Sequence, residues 1–510
     1  MANANDPTTI QYVIQEDGFW YVASKDRTPG VPEITVSTKG VANGLSTEYN
    51  DGFDFGPDSY NPSITSGVPL TQTSGIQEAN DYLVSISLNG KISSGSASLI
   101  ELQSGVFYVS KGITLGATSD RYGYAVIIGL QGAAANFLTT SVISTTPQFP
   151  AGTPLLTFNA AASVCYLSSV GLTTNVGIPS YYIYHAPENP STGHISNVYF
   201  GDYPSEGVVN LSLSSYSRMF FNSCHFAITS SVTTTYGLGI IQGSNNATVT
   251  FTNCQLHGGN GGFTLGTPGT TEGGAPSVFV INSPFVMTGT DEDSSVGANT
   301  VPLFTAINNV QFIKISNLYV YSGYIVEVNS GSTISHLIIE DILMDTSNSS
   351  NGGINIVTNA GNILNLIVKN INFNNLTPTS GYTKIVNNTG TINYVDFNNL
   401  VNINGNYPPD VINTPTIPTN PPVSATVYQN TNPYDIRIYL PVYATTSGTA
   451  GTVAYGEDAS STVTEMTPKF ISGSTSSTSV EIVDLVVPAG HYFEFTGTGV
   501  TFGTATVKAA

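Results

Sequence analysis

One short pattern recurs nine times in the middle of this chain, and it constrains the fold more than any other feature. Each copy has six residues, with an apolar residue at the first position and a small polar residue at the third. The copies begin at Leu167, Ile195, Phe221, Phe251, Ile281, Ile315, Ile339, Val368 and Phe397. Their third residues are separated by 28, 26, 30, 30, 34, 24, 29 and 29 positions. A repeat of this length in a chain rich in β-forming residues predicts a solenoid.

Apolar and polar residues alternate within each copy, which predicts half-buried strands. The small polar residue marks a bend, because Asn, Asp and Ser tolerate a left-handed backbone. A coil of about 29 residues holds three short strands and three turns, which is too few for a propeller blade, and the helical periodicity of helix-based repeats is absent. We therefore predict an all-β chain built on a right-handed parallel β-helix.

Two columns of residues should run along this solenoid. The fourth position of each copy should point into the interior, and its residues are Val170, Val198, Cys224, Cys254, Pro284, Leu318, Ile342, Ile371 and Leu400. The third position should form a structural ladder of polar side chains along the bend. Its main members are Asn197, Asn253, Asn317, Asp341, Asn370 and Asn399, with Ser169, Ser223 and Ser283 in the other coils.

The composition excludes two classes of partner. Only 9% of the 510 residues are charged, and the net charge is -20. This balance argues against nucleic acid or an anionic membrane as a partner. No apolar stretch is long enough to span a membrane, so membrane insertion is not expected. The chain opens without the basic and apolar segments of a signal peptide, and we expect none. A surface of neutral hydrogen-bonding groups changes little when carboxylates are protonated, so one hypothesis is that the protein is adapted to acid. The alternative is an ordinary acidic protein without such adaptation.

The sequence divides into four parts. Residues 1–72 should form a head that begins with a β-hairpin around Asp17-Gly18. Residues 73–406 should form the β-helix. Prolines favour an extended linker over residues 407–423. Short alternating runs over residues 424–510 predict an antiparallel β-sandwich.

A helix is predicted at the start of the solenoid, over residues 74–85. Ser74 and Gln77 have the spacing of a capping box, and an apolar stripe begins at Ile76. A helix at this place can cover the strand edges at the open end of the β-helix.

Several segments resemble parts of known β-helix proteins. The order of Ile76-Gln-Glu-Ala-Asn-Asp-Tyr-Leu83, Gly90-Lys-Ile and Leu102-Gln-Ser-Gly-Val-Phe-Tyr-Val109 is similar to the entry of pectate-lyase-like β-helices. The predicted hairpin, over residues 12–22, resembles one that precedes the β-helix in viral and archaeal-virus members. Val487-Pro-Ala-Gly490 resembles a turn in the terminal β modules of virus fibres. The resemblance implies a virion protein of the tailspike, fibre, spike or turret type.

Such a protein would lie on the virion surface and mediate attachment to the host. The resemblance implies that the head contacts other virion proteins and that the receptor is a host-surface glycan or glycoprotein. It also implies a homo-oligomer, with a trimer favoured. Two alternatives stay open: a carbohydrate-active depolymerase, and an extracellular adhesin of a cell surface.

The enzyme alternative finds little support in the sequence. The Asn-Thr-Asp, Asp-Asp, Gly-His-Gly and Arg-Ile-Lys motifs of polygalacturonase-type hydrolases are absent, and Gly193-His194-Ile195 is only a fragment of one. Three carboxylate groups could in principle act in pairs on glycosides. They are Asp291-Glu292-Asp293, then Glu340 with Asp341 and Asp345, and finally Asp202 with Glu206. A solvated turn or calcium is the alternative for the first group. We predict no catalytic residue, no metal and no cofactor.

Tyrosines are the candidate glycan-binding residues, because an aromatic ring can stack on a sugar while its hydroxyl stays in water. The candidates are Tyr181, Tyr182, Tyr184, Tyr319, Tyr321 and Tyr324. The alternative is that these rings only cover the solenoid. Cys224 and Cys254 occupy one interior column in consecutive coils, and they are either two small buried residues or a bonded pair.

Overall fold

The computed structural model of the 510-residue chain consists almost entirely of β-strands. It describes residues 10–16, 19–24, 33–36, 72–88, 97–116, 127–132, 141–159, 164–174, 177–201, 204–228, 236–258, 261–270, 274–283, 285–287, 302–320, 325–345, 356–374, 386–402, 422–424, 426–430, 435–444, 450–456, 464–469, 480–488 and 490–509. Two separate hydrophobic cores are present, one within residues 36–392 and one within residues 428–507.

The first elements are β1 (Ile10–Glu16), β2 (Phe19–Ser24), β3 (Glu33–Val36) and the helix α1 (Ile76–Leu88). β1 and β2 pair antiparallel, with Glu16 opposite Phe19. β3 pairs parallel with the first strand of the solenoid. A segment that the sequence pattern assigns to the head therefore adds a strand to the β-helix.

The described strands form eleven coils of the solenoid. The strands of the first six coils are β4 (Ala97–Leu102), β5 (Gly105–Val109), β6 (Ile113–Leu115), β7 (Ile127–Gly132), β8 (Ser141–Thr145), β9 (Leu156–Phe158), β10 (Val164–Ser168), β11 (Gly171–Thr173), β12 (Tyr181–His185), β13 (Thr192–Ser196), β14 (Tyr199–Gly201), β15 (Gly207–Leu213), β16 (Arg218–Asn222), β17 (His225–Ile228), β18 (Gly239–Gly243), β19 (Thr248–Thr252), β20 (Gln255–Gly258) and β21 (Phe263–Leu265).

The strands of the last five coils are β22 (Gly274–Ala275), β23 (Ser277–Ile281), β24 (Phe285–Met287), β25 (Phe304–Ala306), β26 (Asn309–Val320), β27 (Val326–Val328), β28 (Thr333–Asp345), β29 (Val357–Asn359), β30 (Asn362–Asn374), β31 (Val386–Asn388) and β32 (Thr391–Asn402). In the last four of these coils two short strands merge into one long strand, β26, β28, β30 or β32, that bends in its middle.

Apart from the two-residue strand β22, which also pairs antiparallel with β18, each strand pairs in parallel with its counterpart one coil away. This pairing produces three parallel sheets. The first sheet contains β3, β4, β7, β10, β13, β16, β19, β23 and the first halves of β26, β28, β30 and β32. The second contains β5, β8, β11, β14, β17, β20, β24 and the second halves of the four long strands. The third contains β6, β9, β12, β15, β18, β21, β25, β27, β29 and β31. The fold is a parallel β-helix.

The polar residue of the repeat makes the bend between the first and second sheets. The left-handed residues there are Ser169, Asn197, Ser223, Asn253, Asn282, Asn317, Asp341 and Asn370, with φ between 52° and 57°. Subtracting their numbers gives intervals of 28, 26, 30, 29, 35, 24 and 29 residues. Asn and Asp occupy this position in most coils because their side chains lower the cost of a left-handed backbone.

The sequence alignment is wrong by one residue in coil seven. Thr252 pairs with Ile281, so the left-handed residue is Asn282 rather than Ser283. The next pair is Gln255 with Phe285, which leaves one extra residue in the bend. Ser283 therefore takes the interior position and is fully buried. Pro284, the predicted interior residue, lies outside the described residues.

Large apolar side chains fill the interior. Phe200, Phe226, Phe251, Phe263 and Phe304 are fully buried and contact one another, with ring centroids 4.7 to 5.9 Å apart. Burial of such a side chain typically contributes about 1.5–3 kcal/mol. Since a coil cannot bury these rings alone, stability depends on contact between neighbouring coils.

Polar side chains of α1 cover part of the open end of the first coil. The Gln77 amide accepts a hydrogen bond from Thr114 N (2.7 Å) and donates one to Thr114 O (3.1 Å), as a neighbouring strand would. Asn80 Oδ1 accepts from Gly116 N at 2.9 Å. The predicted capping box is absent, because Ser74 Oγ donates instead to Tyr108 O. The described helix is too short to cross a membrane.

The C-terminal part contains two antiparallel sheets. Its strands are β33 (Thr426–Gln429), β34 (Ile436–Ala444), β35 (Ala450–Gly456), β36 (Thr464–Lys469), β37 (Val480–Val487), β38 (Tyr492–Thr498), β39 (Val500–Phe502) and β40 (Thr506–Ala509). The fourth sheet has the order β33-β38-β35-β36. In the fifth sheet, β34 pairs with β37 on one edge and with β39 and β40 on the other. Buried residues of both sheets share one core.

Candidate functional site

Two of the predicted glycan-binding tyrosines cannot present their rings to a ligand. Tyr181 is only 4% exposed and Tyr182 is fully buried. The Tyr182 hydroxyl donates to Gly201 O, and its ring packs against Phe200. Burial, and then the hydrogen-bonded Glu206, raise the pKa of Tyr181. Both residues are therefore part of the packing of the solenoid, and their prediction as sugar-stacking residues is wrong.

The other predicted tyrosines are less constrained. Tyr184 and Tyr319 are half-buried on the outer side of the solenoid, on different sheets. Tyr184 stands beside Asn210 on the third sheet, and Tyr319 stands beside Leu343 on the second. Tyr321 and Tyr324 lie outside the described residues. The candidate tyrosines that the structure describes thus do not form one surface.

The polar ladder is present as separate side-chain pairs. Asn317 Nδ2 donates to Asn282 Oδ1 at 2.7 Å, and Asn370 Nδ2 donates to Asp341 Oδ1 at 2.8 Å. Asn197 and Asn253 are exposed at the same bend. The predicted Asn399 lies in β32, and the exposure of its side chain is outside the described residues. These residues hold the backbone bend.

The candidate carboxylates that can be described have partners within the chain. Glu340 forms an ion pair with Lys314 at 2.7 Å. Asp341 accepts from Asn370, and Glu206 is hydrogen-bonded to Tyr181. The side chains of Asp291, Glu292, Asp293, Asp202 and Asp345 lie outside the described part. Across the residues that are described, no group of three or more His, Cys, Asp or Glu side chains could hold a metal ion.

The outer side of the first sheet carries stacked aromatic rings. His194 stacks on Phe220 with centroids 5.2 Å apart and planes 14° apart. Phe279 stacks on Phe312 with centroids 5.4 Å apart and planes 22° apart. His336 follows Phe312 at 5.8 Å. Rings this close and nearly parallel cover each other's faces, so they present mainly their edges to solvent. Exposed ring edges can pack against other protein side chains, whereas a sugar would stack on the face of a ring.

A different aromatic surface lies on the fifth sheet. Along β34, Ile436, Ile438, Leu440 and Val442 point into the core, so the alternate residues Arg437, Tyr439, Pro441 and Tyr443 point outward. On β37, the outward residues are Ile482 (58% exposed), Asp484 and Val486 (42% exposed). We call these seven residues, together with Thr501 and Thr506 of the neighbouring strands, the β34 platform. An exposed apolar patch of this kind commonly marks a binding surface.

Each tyrosine of the platform has a threonine beside it. Tyr439 pairs in register with Thr506 of β40, and Tyr443 pairs with Thr501 of β39. Both threonines are exposed. The two tyrosines lie four positions apart along the strand, a distance of roughly 13 Å. The platform therefore repeats one arrangement, an aromatic ring beside a hydroxyl group, at two places along a strand.

An ion pair fixes the polar end of the platform. Arg437 donates from Nε to Asp484 Oδ1 at 2.8 Å and from Nη2 to Asp484 Oδ2 at 2.7 Å. The Arg437 guanidinium also lies 5.5 Å from the centre of the Tyr439 ring. Asp484 raises the pKa of the exposed Arg437. This bidentate geometry orients both charged groups at the surface.

A glycine supports the second tyrosine. A Cβ atom on Gly503 would lie 2.9 Å from Tyr443 Cε2 and 3.1 Å from Pro441 Cβ. The ring of Tyr443 therefore rests against the backbone of Gly503, and Tyr443 keeps 39% of its surface exposed. Only glycine leaves room for the ring in this position.

The sequence analysis missed the platform, although its signal is visible. The order Ile436-Arg-Ile-Tyr-Leu-Pro-Val-Tyr443 alternates strictly, and both tyrosines fall on the outward side. In β37, apolar residues occupy both sides of the strand, as Ile482 and Leu485 illustrate. An apolar residue on the solvent side of an alternating strand is the pattern that could have identified this surface.

Comparisons with known proteins yield structural similarities only. No protein-family model matches the chain, and no curated protein matches it in sequence. The chain is similar to the enzymatically active domain of tailspike protein 4 of bacteriophage CBA120, with a TM-score of 0.40 and 10% identity over 98% of this chain and 70% of that one. It is also similar to ORF18 of Geobacillus virus E2, with a TM-score of 0.35 and 13% identity over 93% and 84% of the two chains. These TM-scores are too low to assign a function.

Proposed function

We propose that this protein is a structural virion protein that attaches the particle to a glycan on the host-cell surface. The β34 platform is the observation that carries this proposal. Its two outward-facing tyrosine–threonine pairs and its oriented ion pair combine aromatic rings with hydrogen-bonding groups. A sugar offers the complement of both, since its apolar face stacks on an aromatic ring and its hydroxyls pair with polar side chains.

The order of the parts along the chain agrees with this role. Residues 1–72 are proposed to contact other virion proteins, and the β-helix is proposed to be a right-handed rod with coils of about 29 residues. A Pro-rich segment over residues 407–423 then separates the rod from the C-terminal part that bears the platform. The resemblance of residues 12–22 to the hairpin that precedes the β-helix in viral members supports placing the protein on the virion surface.

The first sheet is proposed to mediate association between copies of this chain, with a trimer favoured. Each copy has a net charge of -20, so close approach requires a surface without excess negative charge. On the first sheet, Lys314 neutralises Glu340 at 2.7 Å and Lys369 neutralises Asp396 at 2.8 Å. The ring edges of Phe220 and Phe312 lie on the same side of the sheet. This outer face therefore combines apolar contact area with local charge balance.

A glycan array with the full-length protein tests the attachment proposal. The protein should bind a subset of glycans, and the tightest ligand should then be titrated against variants. Tyr439→Ala and Tyr443→Ala should each weaken binding several-fold to about ten-fold, since an aromatic contact contributes about 0.5–1.5 kcal/mol. Gly503→Ala should weaken binding without removing an aromatic ring, because the added methyl group displaces Tyr443.

The matched control is Tyr216→Ala. Tyr216 is 72% exposed and belongs to the solenoid, where it lies in the turn between β15 and β16. Its loss should leave binding unchanged, and the circular dichroism spectra of all variants should match that of the wild type. A wild-type protein that binds no glycan, or platform variants that bind as well as the wild type, would contradict the proposal.

A further inference from the structure

We propose that Cys224 and Cys254 form a disulfide that joins two consecutive coils through the interior of the β-helix. All three cysteines of the chain are free and buried in the structure. The inference concerns which two of them become bonded under oxidising conditions, and it is independent of glycan binding.

The register of the coils places the two residues opposite each other. Asn222 pairs with Thr252 before the bend, and His225 pairs with Gln255 after it. Cys224 and Cys254 therefore occupy equivalent positions in coils five and six. Neighbouring strands lie about 4.8 Å apart, which falls within the Cα separation of about 4.4–6.8 Å that a disulfide requires.

The local backbone is the same at both positions. Each cysteine follows a left-handed residue, Ser223 with a φ of 52° and Asn253 with a φ of 54°. Gln255 N donates to Cys224 O at 2.9 Å, so the two coils are hydrogen-bonded at this point. Because the two bends have equal conformation, their Cα–Cβ bonds point in nearly the same direction into the core.

The two thiols have equivalent surroundings. Cys224 Sγ lies 3.4 Å from Ile195 O, and Cys254 Sγ lies 3.5 Å from Phe221 O, the equivalent carbonyl one coil later. Both residues are fully buried. The third cysteine has other surroundings, since Cys165 Sγ lies 3.8 Å from His185 Nε2, and it occupies a strand of the first sheet rather than the bend. Of the three cysteines, only Cys224 and Cys254 therefore have the register that bond formation needs.

Formation of the bond needs an oxidant, and glutathione disulfide is sufficient. One cysteine thiolate attacks glutathione disulfide and releases a glutathione thiolate. The second cysteine thiolate then displaces the other glutathione, so that the pair loses two electrons and two protons and the oxidant becomes two glutathione thiols. Both thiols are fully buried, so glutathione disulfide has little access to them in the folded chain. The bond is therefore expected to form while the coils assemble.

Refolding the full-length protein in a glutathione redox buffer tests the proposal. The number of thiols titrated in denaturant should fall from three, the value for the reduced protein, to one. Peptide mapping should identify a peptide that joins Cys224 to Cys254 and an unmodified Cys165. The melting temperature of the oxidised protein should exceed that of the same sample after reduction, because the bond restricts the unfolded chain.

Three variants test which two of the cysteines form the bond. Cys165→Ser should retain the cross-linked peptide and the difference in melting temperature. Cys224→Ser and Cys254→Ser should each leave two free thiols and no cross-link. If refolding yields are low, mapping of wild-type protein expressed in an oxidising compartment and alkylated at lysis replaces the refolding step. Three free thiols in oxidised wild-type protein, or a cross-link that includes Cys165, would overturn the proposal.

Discussion

The side-chain amide of Asn317 donates a 2.7 Å hydrogen bond to Asn282, one coil earlier, and both residues have a left-handed backbone. This pair shows what the repeated polar residue does. It turns the chain between two sheets by adopting a left-handed backbone conformation, which costs free energy for most residues. Its side chain then binds the equivalent residue of the neighbouring coil.

Substitutions of Asn317 should separate these two contributions. Asn317→Val introduces a β-branched residue into the left-handed region and removes the hydrogen bond, so it should lower the free energy of unfolding by about 2–3 kcal/mol. Asn317→Gly keeps the backbone conformation accessible and should cost only about 1 kcal/mol. Denaturant unfolding of the two variants measures the difference. Equal losses would contradict a conformational role for this column.

Ser283 should be a site at which a substitution stabilises the protein. Its side chain is fully buried, and its hydroxyl has no hydrogen-bond partner among the described residues. Ser283→Ala should therefore raise the free energy of unfolding by about 1 kcal/mol, since it removes an unsatisfied polar group. Ser191→Ala is the matched control, because Ser191 Oγ is 2.9 Å from His185 Nε2. That variant should lose stability, and the same sign for both changes would refute the explanation.

The burial of His185 predicts a loss of stability in mild acid. Burial lowers the pKa of His185 from 6.5 to about 4. Above pH 6.5 neither the folded nor the unfolded chain binds this proton, so its contribution to stability is complete. As the pH falls from 6.5 towards 4, only the unfolded chain gains the proton, and about 3 kcal/mol of stability is lost. This opposes the hypothesis, from the neutral polar surface, that the protein is adapted to acid.

His185→Gln separates this effect from other titrations. Glutamine can still bond to Ser191 but cannot bind a proton, so the slope of unfolding free energy between pH 6.5 and 4.5 should decrease. Part of the slope should remain, because burial and then His257 also lower the pKa of His225 to about 4. Identical slopes for wild type and His185→Gln would show that His185 does not titrate in this way.

Removal of Asn80 should expose the end of the first coil. Asn80 is buried, and its Oδ1 accepts a hydrogen bond from Gly116 N at 2.9 Å. Asn80→Ala leaves this donor without a partner and should lower the free energy of unfolding by about 1–3 kcal/mol. It should also increase aggregation, since an open strand edge can pair with other chains. Asp81→Ala, at an exposed position of the same helix, should change light scattering little by comparison.

The repeat predicted the parallel β-helix because the place of each residue in a coil depends on its own side chain and on its neighbours in the sequence. An interior residue such as Leu167 and a bend residue such as Asn197 can be identified from alternation and from side-chain type alone. The one-residue error of alignment at Ser283 arose in a coil that has an extra residue in its bend. Either Asn282 or Ser283 can occupy a bend, so side-chain type does not decide between them. Only the pairing of Thr252 with Ile281 resolves that choice.

The candidate site was harder to predict for two physical reasons. Tyr181 and Tyr182 are consecutive, so alternation does not indicate which ring is buried, and in fact both are. The platform depends on contacts between strands that are distant in sequence, such as Arg437 with Asp484 and Tyr443 with Gly503. Neither contact follows from local periodicity.

The most direct test of virion attachment is electron cryomicroscopy of the native particle that carries this chain. We expect residues 1–72 to lie nearest the particle, the β-helix to project outward, and the β34 platform to face the surroundings. A C-terminal part buried against other virion proteins, with the platform covered, would contradict the proposed attachment role. Absence of the chain from purified particles would contradict it as well.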